Sequence, residues 1–366
     1  MRIAFALPGF HRYHRGAEVA LMSVASGLAS HGHAVTLFGA GHADADTSYA
    51  FARSPLIARE RFERFPKVPV FRGDTTWEEA TFLPGFLRRY RPQDFDVTLT
   101  CSYPFLNWAL RARKHRGYRP RHVFVTQNGD WPARANNSEY RFFGCDGLVA
   151  INPDYFEDNR ANYRTALIPN GVDLTRFNPG PAQRAAFGLP EGVPLVLMVS
   201  AMIASKRVGD GIEAVARLPG VHLVVAGDGP LRDELRAKAD ALMPGRYHTL
   251  SVAATQMPDL YRSADVFLHL SRDESFGNVY VEAMASGLPS VAWDLPRTRW
   301  IMGDTGVLVT DLDQDALVAG IQRALTLPRA PAAQLERAER FSWTAIAADY
   351  ERFLKEVVAA GPQRPE

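Results

Sequence analysis

Short apolar runs alternate with amphipathic segments along most of the chain, and each run has the length of a buried strand. The runs that predict strands lie at 3–7, 34–38, 97–100, 122–126 and 148–151 in the first half, and at 195–200, 223–226, 249–252, 266–270 and 290–292 in the second. Strands that alternate with helices form parallel sheets. The pattern therefore predicts an α/β protein with two doubly wound parallel sheets, one in each half of the chain.

Glycine and proline separate the two sets of strands. Pro169-Asn170-Gly171 and Asn178-Pro179-Gly180-Pro181 follow the last strand of the first set, and such clusters interrupt helices and strands. Each half is long enough for its own hydrophobic core. We therefore expect a first domain over 1–169 and a second over 170–342, and the segment from Trp343 to Ala359 is expected to form a final helix.

Composition narrows the class of protein. The chain has 366 residues, of which 46% are hydrophobic and 22% charged, as is ordinary for a soluble protein with two globular domains. A net charge of +2 gives no general attraction to nucleic acid, and Cys101 and Cys145 stand outside any paired-cysteine motif, so we expect neither a zinc site nor a structural disulfide. Because no apolar run is long enough to span a membrane or to form a signal-peptide core, a cytoplasmic location is expected.

The most informative motif follows the strand predicted at 266–270. It reads Asp273-Glu274-Ser275-Phe276-Gly277-Asn278-Val279-Tyr280-Val281-Glu282. Gly277 lets the backbone pass close to a ligand, and the first N–H groups of a helix that begins at Asn278 favour an anion such as a diphosphate. Carboxylates repel phosphate but hold hydroxyls, so Glu282 is expected to bind a ribose diol and Glu274 a sugar. The motif predicts a sugar-nucleotide site.

This motif and several others together resemble a known family. The two glutamates, followed by Ala283-Met284-Ala285-Ser286-Gly287-Leu288-Pro289, are similar to the E-x7-E signature of family 4 glycosyltransferases, the retaining enzymes of the GT-B fold. Further landmarks of that family occur in order: Gly16-Ala17-Glu18, Ile168-Pro169-Asn170-Gly171-Val172-Asp173, Lys206, and Ala226-Gly227-Asp228-Gly229-Pro230. The resemblance implies two facing Rossmann-like domains with an interdomain cleft, and a C-terminal segment at 343–366 whose helix crosses back to the first domain.

The resemblance also implies roles for individual residues. Lys206 would contact the donor phosphates and stabilise charge on the departing nucleoside diphosphate, so that Lys206 and Glu274 form the catalytic pair. Gly16 would lie against the donor diphosphate, and backbone donors to the sugar and phosphates would come from Ser275, Phe276, Gly277 and Asn278. Neither glutamate is expected to attack the sugar; the leaving diphosphate would take the acceptor's proton. No cofactor is expected beyond the donor substrate.

The chain departs from the family pattern at two points. Ser200-Ala201-Met202 stands where an arginine is common, and Arg207 is the nearest replacement, although neighbours on a helix point about 100° apart. Gln127 or Asn128 stands where a histidine often contacts the transferred sugar, and an amide can bond hydroxyls but cannot titrate. Asp130 is the nearest carboxylate that could replace it, with a loop-capping role as its alternative.

Pairs of aspartates spell D-x-D, like the metal-binding motif of another glycosyltransferase fold. They are Asp44/Asp46, Asp94/Asp96 and Asp311/Asp313. None follows a predicted strand through a clear loop into the expected cleft, so each is expected to be a surface or capping pair. No metal site is predicted.

Basic residues stand at two places in the predicted first domain. His14 and Arg15, before Gly16, are candidates for contacts with an acceptor or with phosphate, the alternative being a basic surface loop. From Phe51 to Arg72 the chain interleaves aromatic and aliphatic residues with arginine and lysine. Such a segment suits an anionic membrane surface, where a lipid-linked acceptor would be found. The alternative is an ordinary packed helix and loop with solvated arginines.

These features favour a retaining, metal-independent hexosyltransferase. It would move a hexose from a nucleoside diphosphate sugar to a glycan or lipid-linked glycan in cell-surface polysaccharide or glycoconjugate biosynthesis. Two alternatives stay open. A nucleotide-sugar epimerase of the same fold would need an acid and a base in the cleft, and a sugar-nucleotide-binding partner protein without catalysis would fit the missing arginine and histidine. The donor base, the hexose, the acceptor and the oligomeric state are left open.

Overall fold

The computed structural model describes residues 1–66, 68, 71, 73–127 and 143–360, and the chain divides into two compact units. Unit 1 comprises Met1–Asn170 together with the segment that begins at Trp343. Unit 2 comprises Gly171–Ser342. Each unit is built around one sheet of parallel strands, with helices between most successive strands. The predicted α/β class is confirmed.

The strands of unit 1 are β1 (Arg2–Ala6), β2 (Ala34–Gly39), β3 (Ala50–Arg53), β4 (Val97–Thr100), β5 (Arg121–Val125), β6 (Gly147–Ala150) and β7 (Thr165–Leu167). They pair in the order β3-β2-β1-β4-β5-β6-β7. The strands of unit 2 are β8 (Leu195–Val199), β9 (His222–Ala226), β10 (Tyr247–Leu250), β11 (Val266–His269), β12 (Ser290–Trp293) and β13 (Val307–Val309). They pair in the order β10-β9-β8-β11-β12-β13. Every strand predicted from the sequence is present, with shifted ends at several and the largest shift at β10.

The strands that the sequence pattern missed are β3, β7 and β13, and each lies at an edge of its sheet. An edge strand pairs on one side only and is often short. None of the four residues of β3 or the three of β7 is fully buried. β3 and β7 therefore lack the continuous buried run that marks an interior parallel strand, and β13 is apolar but has only three residues.

The helices between Met1 and Asn170 are α1 (Gly16–Ser30), α2 (Asp74–Arg89), α3 (Phe105–Ala112) and α4 (Pro153–Asn159). Unit 2 contains α5 (Val208–Ala216), α6 (Arg232–Leu242), α7 (Met257–Ser263), α8 (Asn278–Ala285), α9 (Pro296–Met302), α10 (Gln314–Leu325) and α11 (Ala332–Glu339). The final helix is α12 (Trp343–Ala359).

Helix α12 packs against α1 within unit 1. Its buried face includes Ile346, Tyr350 and Phe353. The two helices approach closely at Gly27, where an added Cβ would lie 2.5 Å from the Cβ of Ala347. Burial of this apolar face stabilises the return of the chain, and the predicted crossing of the final helix back to the first unit is confirmed.

The turn after β9 packs directly against the loop between β8 and α5. Gly227 has φ +151°, and a Cβ there would lie 2.1 Å from the carbonyl oxygen of Ser200. A Cβ on Gly229 would lie 2.5 Å from the carbonyl oxygen of Met202, whose N–H donates to the carbonyl of Asp228 at 2.9 Å. These glycines allow the backbone contact that holds the loop carrying Lys206.

Gly227→Ala is expected to reduce the free energy of unfolding by about 2–3 kcal/mol, because the new methyl group meets backbone that cannot move without distorting the loop. Urea unfolding measures this loss. Gly220→Ala is the matched control: Gly220 has φ +75° and no atom within 4 Å of an added Cβ. It should cost only the left-handed backbone penalty of about 1 kcal/mol. Equal losses in the two variants would show that the contact with Ser200 is unimportant.

Candidate active site

The candidate site lies where β8 and β11 are neighbours in the sheet of unit 2. Strand β8 leads to β9 on one side, and β11 leads to β12 on the other. The chain therefore changes direction across the sheet at this point, and open α/β sheets bind ligands beyond the carboxyl ends of strands at such a point. The loop after β8 carries Lys206, and the loop after β11 carries Glu274. This topology brings together two residues that are far apart in the sequence.

Lys206 and Glu274 form an ion pair. The Nζ of Lys206 donates to Oε1 of Glu274, and the two side chains are 20% and 19% exposed. The Nε2 of His269 donates to the same oxygen at 2.9 Å. Burial by itself would raise the pKa of Glu274, but the hydrogen bond from His269 and the charged bond from Lys206 outweigh it and hold that pKa at about 2. Glu274 is therefore ionised at neutral pH.

His269 is the site residue that the sequence analysis missed. It ends β11, and its side chain is 2% exposed. Its ring stacks on Phe267 with centroids 6.1 Å apart and meets the edge of Tyr280 at 5.1 Å. The available signal was a histidine inside an apolar strand, five positions before Glu274. A buried imidazole needs a polar partner, and the nearest acid along the chain supplies it.

Helix α8 begins at Asn278, as the motif predicts. Gly277 precedes it with φ +95°, and a Cβ at Gly277 would lie 2.7 Å from the ring of Tyr280. No side chain of the preceding residue caps this helix, so its amino end keeps a partial positive charge that can act on a ligand. The side chain of Phe276 packs against Trp300 and Phe341. Only the backbone of Phe276 is therefore available to donate a hydrogen bond to a ligand.

Glu282 lies one turn further along α8. Its Oε2 accepts a hydrogen bond of 2.8 Å from the hydroxyl of Tyr261, which is fully buried. Burial raises the pKa of Glu282, and the bond from Tyr261 and the charge of Arg176 act against that rise. Among the described residues no hydrogen bond reaches Oε1 of Glu282. One oxygen is therefore oriented by Tyr261 while the other can accept a ligand hydroxyl.

Glu282→Gln is expected to weaken nucleoside diphosphate binding by about tenfold, because a hydrogen bond to a charged acceptor is worth about 1.5–3 kcal/mol. The turnover at saturating donor should change little, since the contact is the same in the ground state and the transition state. Calorimetric titration with UDP and with GDP measures the affinity. Glu191→Gln, at an exposed loop position of the same unit, is the control. An unchanged affinity in the first variant would argue against the ribose contact.

Arg207 does not join Lys206 at the ion pair. It lies in the left-handed region, with φ +55°, before α5, and its guanidinium pairs with Asp210. It also lines a cavity of about 430 Å³, together with Ala204, Ser205, Arg272, Asp273 and Leu295. Except for Leu295, these residues lie within two positions of Lys206 or Glu274 in the sequence, and the volume is in the range of small-molecule sites.

The basic loop of unit 1 lies at the amino end of α1. Gly16 is the first residue of this helix, and Arg15 precedes it without a side-chain cap. His14 and Arg15 are exposed, and the guanidinium of Arg15 lies 4.1 Å from the ring centroid of Tyr13. The loop therefore places two basic side chains beside a helix amino end, an arrangement that favours anions.

Gln127 is already engaged within unit 1. Its side-chain amide donates to Oδ1 of Asn170 at 2.7 Å, and its Oε1 accepts from Nδ2 of Asn170 at 3.2 Å. Both residues are buried, so this amide pair joins the end of β5 to the Pro169-Asn170-Gly171 turn. Asn128 and Asp130 lie outside the described residues.

Several of the D-x-D aspartates have structural partners. Asp96 pairs with Arg2 at 2.6 Å, Asp313 caps α10, and Asp311 pairs with Arg272 at 2.9 Å. Within the described part of the chain, no group of three or more metal-ligating side chains is found. None of the described helices is long and apolar enough to cross a membrane.

The chain has two α/β units, each with a parallel sheet, and its final helix returns to the first unit. Together with the charged pair at the switch point of unit 2, these features define a protein of the GT-B class. Over 98% of its length, the chain is similar to sucrose-phosphate synthase from Thermosynechococcus elongatus, with a TM-score of 0.76, 21% identity and 100% of that chain covered. Over 97%, it is similar to Anabaena HepE in complex with UDP-glucose, with a TM-score of 0.72, 19% identity and 100% coverage.

Sequence comparison identifies the family. The family described as Glycosyltransferase Family 4 matches residues 14–176, and the family described as Glycosyl transferases group 1 matches residues 180–342. The chain belongs to glycosyltransferase family 4.

Curated relatives match over part of their length. One is the lipopolysaccharide core biosynthesis glycosyltransferase LpsE of Rhizobium meliloti, 34% identical over 59% of this chain and 63% of the relative. Another is the D-inositol 3-phosphate glycosyltransferase of Mycolicibacterium smegmatis, 34% identical over 56% of this chain and 51% of the relative. The matched region thus spans about half to two thirds of these relatives.

Proposed function

We propose that the chain is a retaining hexosyltransferase that uses a nucleoside diphosphate sugar and transfers its hexose to a glycan or lipid-linked glycan. The observation that carries this proposal is the ion pair between Lys206 and Glu274 at the switch point of unit 2. It places one cation and one acceptor of hydroxyl hydrogen bonds side by side. A sugar diphosphate requires this combination, because its phosphates need positive charge and its sugar needs acceptors.

On the donor side, Lys206 and the amino end of α8 both favour a diphosphate. Glu282 on α8 has one oxygen held by Tyr261 and the other available for a ribose hydroxyl. The similar Anabaena structure is a complex with UDP-glucose, which favours a uridine donor. The donor site of this proposal therefore consists of Lys206, Ser275 to Asn278, and the two glutamates.

The protonation of Glu274 limits the mechanism. With a pKa of about 2, its carboxyl group holds no proton to give at neutral pH. It acts instead as an acceptor that orients the sugar, while Lys206 stabilises the negative charge on the diphosphate as the bond to the anomeric carbon breaks. The acceptor hydroxyl forms the new bond on the same face and passes its proton to the leaving diphosphate.

We further propose that unit 1 binds the acceptor and lies at an anionic membrane surface on the cytoplasmic side. In the described part of the segment, Ile57 and Phe65 are 45% and 46% exposed, and Arg61 and Arg64 are exposed. Trp77 packs against the aromatic rings of this segment, so part of it is folded core. The name of the relative LpsE, from lipopolysaccharide core biosynthesis, supports a glycolipid acceptor. Failure to co-sediment with anionic vesicles at low salt would refute the membrane contact.

Incubation with a donor panel tests the proposed activity. The purified chain is mixed with UDP-glucose, UDP-galactose, UDP-N-acetylglucosamine and GDP-mannose, with and without extracted glycolipid, and the products are followed by NMR. Transfer, or slow donor hydrolysis, with retained anomeric configuration supports the proposal. A sugar isomerised while still attached to its nucleotide would indicate an epimerase. Binding without turnover of any donor would indicate a non-catalytic sugar-nucleotide-binding protein.

A further inference from the structure

We infer that His269 is a positioning residue that turns the Glu274 carboxylate, so that Oε1 faces the protein and Oε2 is presented to a hydroxyl of the donor sugar. This inference rests on the proposed function of the site. It assigns a role in sugar selection to a buried residue of β11, at the point where that strand ends.

The contacts of Glu274 are asymmetric. Both the ammonium of Lys206 and the Nε2–H of His269 are directed to Oε1. Among the residues that the structure describes, no hydrogen bond reaches Oε2. The side chain is 19% exposed, and its neighbour Asp273 lines the cavity described above. An oxygen of an ionised carboxylate that has no protein donor is a strong acceptor for a ligand hydroxyl.

The ring of His269 is held rigidly. It is 2% exposed, and it is fixed by Phe267 on one face and by the edge of Tyr280. Its Nδ1 is buried and has no hydrogen-bond partner in the described part of the chain. A proton on Nδ1 would therefore be an unsatisfied buried donor, whereas a proton on Nε2 has Oε1 of Glu274 as its acceptor. That proton can only be donated toward Glu274.

Lys206 cannot orient the carboxylate in the same way. Its ammonium is a compact charge at the end of a flexible stem, with three donors that rotate freely. When a diphosphate binds, the ammonium is drawn to the phosphate oxygens, and its hold on Oε1 weakens. His269 then remains as the donor that keeps Glu274 in its orientation while the sugar is bound. The strand gives this rigid donor a fixed position.

His269→Leu and His269→Gln test the inference. Leucine fills a similar volume but cannot donate a hydrogen bond to Glu274. Glutamine can, because its Nε2 can take the place of the Nε2–H of histidine. We expect His269→Leu to lower kcat/KM for the sugar donor about 30-fold while the affinity for UDP stays within about twofold, because the lost bond is to a charged acceptor that contacts the sugar and not the nucleotide. His269→Gln should recover most of that loss. His222→Leu, at the amino end of β9, is the matched control and should match the wild type.

Deoxy donors provide a readout that a purely structural role would not change. UDP-glucose and its 2-, 3-, 4- and 6-deoxy analogues are compared in the wild type and in His269→Leu. In the wild type, one deoxy position should reduce kcat/KM by at least about tenfold, because the buried acceptor is then left without its partner. In His269→Leu the penalty at that position should fall below about threefold. An equal penalty in both proteins would overturn the inference.

The test also works if the wild type has no turnover or if His269→Leu does not fold. If the wild type turns over no donor, the proposed activity fails, and the same comparison is made on binding, as the ratio of the Kd for UDP to the Kd for UDP-glucose. If His269→Leu does not fold, His269→Gln and His269→Asn carry the test, since asparagine is too short for its amide to reach Oε1. Equal sugar discrimination in those two variants would also contradict the role of His269.

Discussion

Lys206→Ala is expected to lower the turnover of the sugar donor by about 10²- to 10³-fold, since it removes the side-chain cation that stabilises charge on the departing diphosphate. The affinity for UDP should fall as well, because the same ammonium contacts the phosphates in the bound state. The free energy of unfolding should change by less than about 1 kcal/mol, since the side chain is 20% exposed and Glu274 keeps its bond from His269. Steady-state kinetics, calorimetry and urea unfolding measure the three quantities.

The surface of unit 2 offers a matched control. Lys238 on α6 pairs with Glu213 on α5 at 2.5 Å, and the two side chains are 35% and 44% exposed. Lys238→Ala thus removes one lysine and one ion pair from the same unit without touching the candidate site. It should leave turnover unchanged. Near-normal turnover in Lys206→Ala would remove Lys206 from the active site.

Glu274→Gln is expected to suppress transfer by at least about 100-fold, because the neutral amide is a weaker acceptor for a sugar hydroxyl and no longer orients the donor through a charged bond. Its effect on nucleotide affinity should be opposite to that of Lys206→Ala. In the free protein the carboxylate of Glu274 holds the ammonium of Lys206, and a diphosphate must compete for that cation. UDP should therefore bind Glu274→Gln as tightly as the wild type, or more tightly. Calorimetry with UDP and transfer assays with the donor panel measure the two effects.

Glu213→Gln removes the charge of the other lysine partner and is the control for this variant. It should alter neither transfer nor UDP binding. If Glu274→Gln kept wild-type transfer, the carboxylate would have no catalytic role. If it lost UDP affinity as Lys206→Ala does, the idea of competition between carboxylate and diphosphate would be wrong.

The lowered pKa of Glu274 also has a consequence for acid stability. The carboxyl group titrates near 4.5 in the unfolded chain and near 2 in the folded chain. The unfolded state therefore binds the proton first, and the stabilisation is complete above about pH 4.5 and is lost as the pH falls toward 2. Glu274→Gln should lack this part of the pH dependence. Unfolding curves of both proteins between these pH values measure the difference.

The interior strands of the fold were predictable because a buried parallel strand appears in the sequence as a continuous run of apolar residues. Strands such as β8 and β11 have neighbours on both sides and are almost entirely buried, so nearly every position is apolar. The edge strands β3 and β7 lack this continuous burial, and β13 is apolar but only three residues long. Their extended backbone depends on pairing with a neighbouring strand, and that pairing exists only after the sheet has formed.

Parts of the candidate site were predictable for a similar reason. The turn at Gly277 and the start of α8 at Asn278 depend on local backbone chemistry, which a short segment carries by itself. In the sequence, Arg207 is the nearest replacement for the missing arginine, but its guanidinium pairs with Asp210 one helical turn away. Gln127 is joined to Asn170 by two hydrogen bonds. Which partner a side chain finds depends on the direction in which it points, and sequence spacing does not specify that direction across loops.

The sequence by itself determined the two-sheet α/β architecture, the turn that opens α8, and the acids and the lysine available for a sugar diphosphate, because these follow from local patterns of burial and backbone freedom. Only the tertiary structure decided that β8 and β11 are neighbours. It also decided that Lys206 and His269 both bind one oxygen of Glu274. The physical reason is that the ionisation of a carboxylate, and the direction in which its other oxygen points, depend on the charges and donors around it in space.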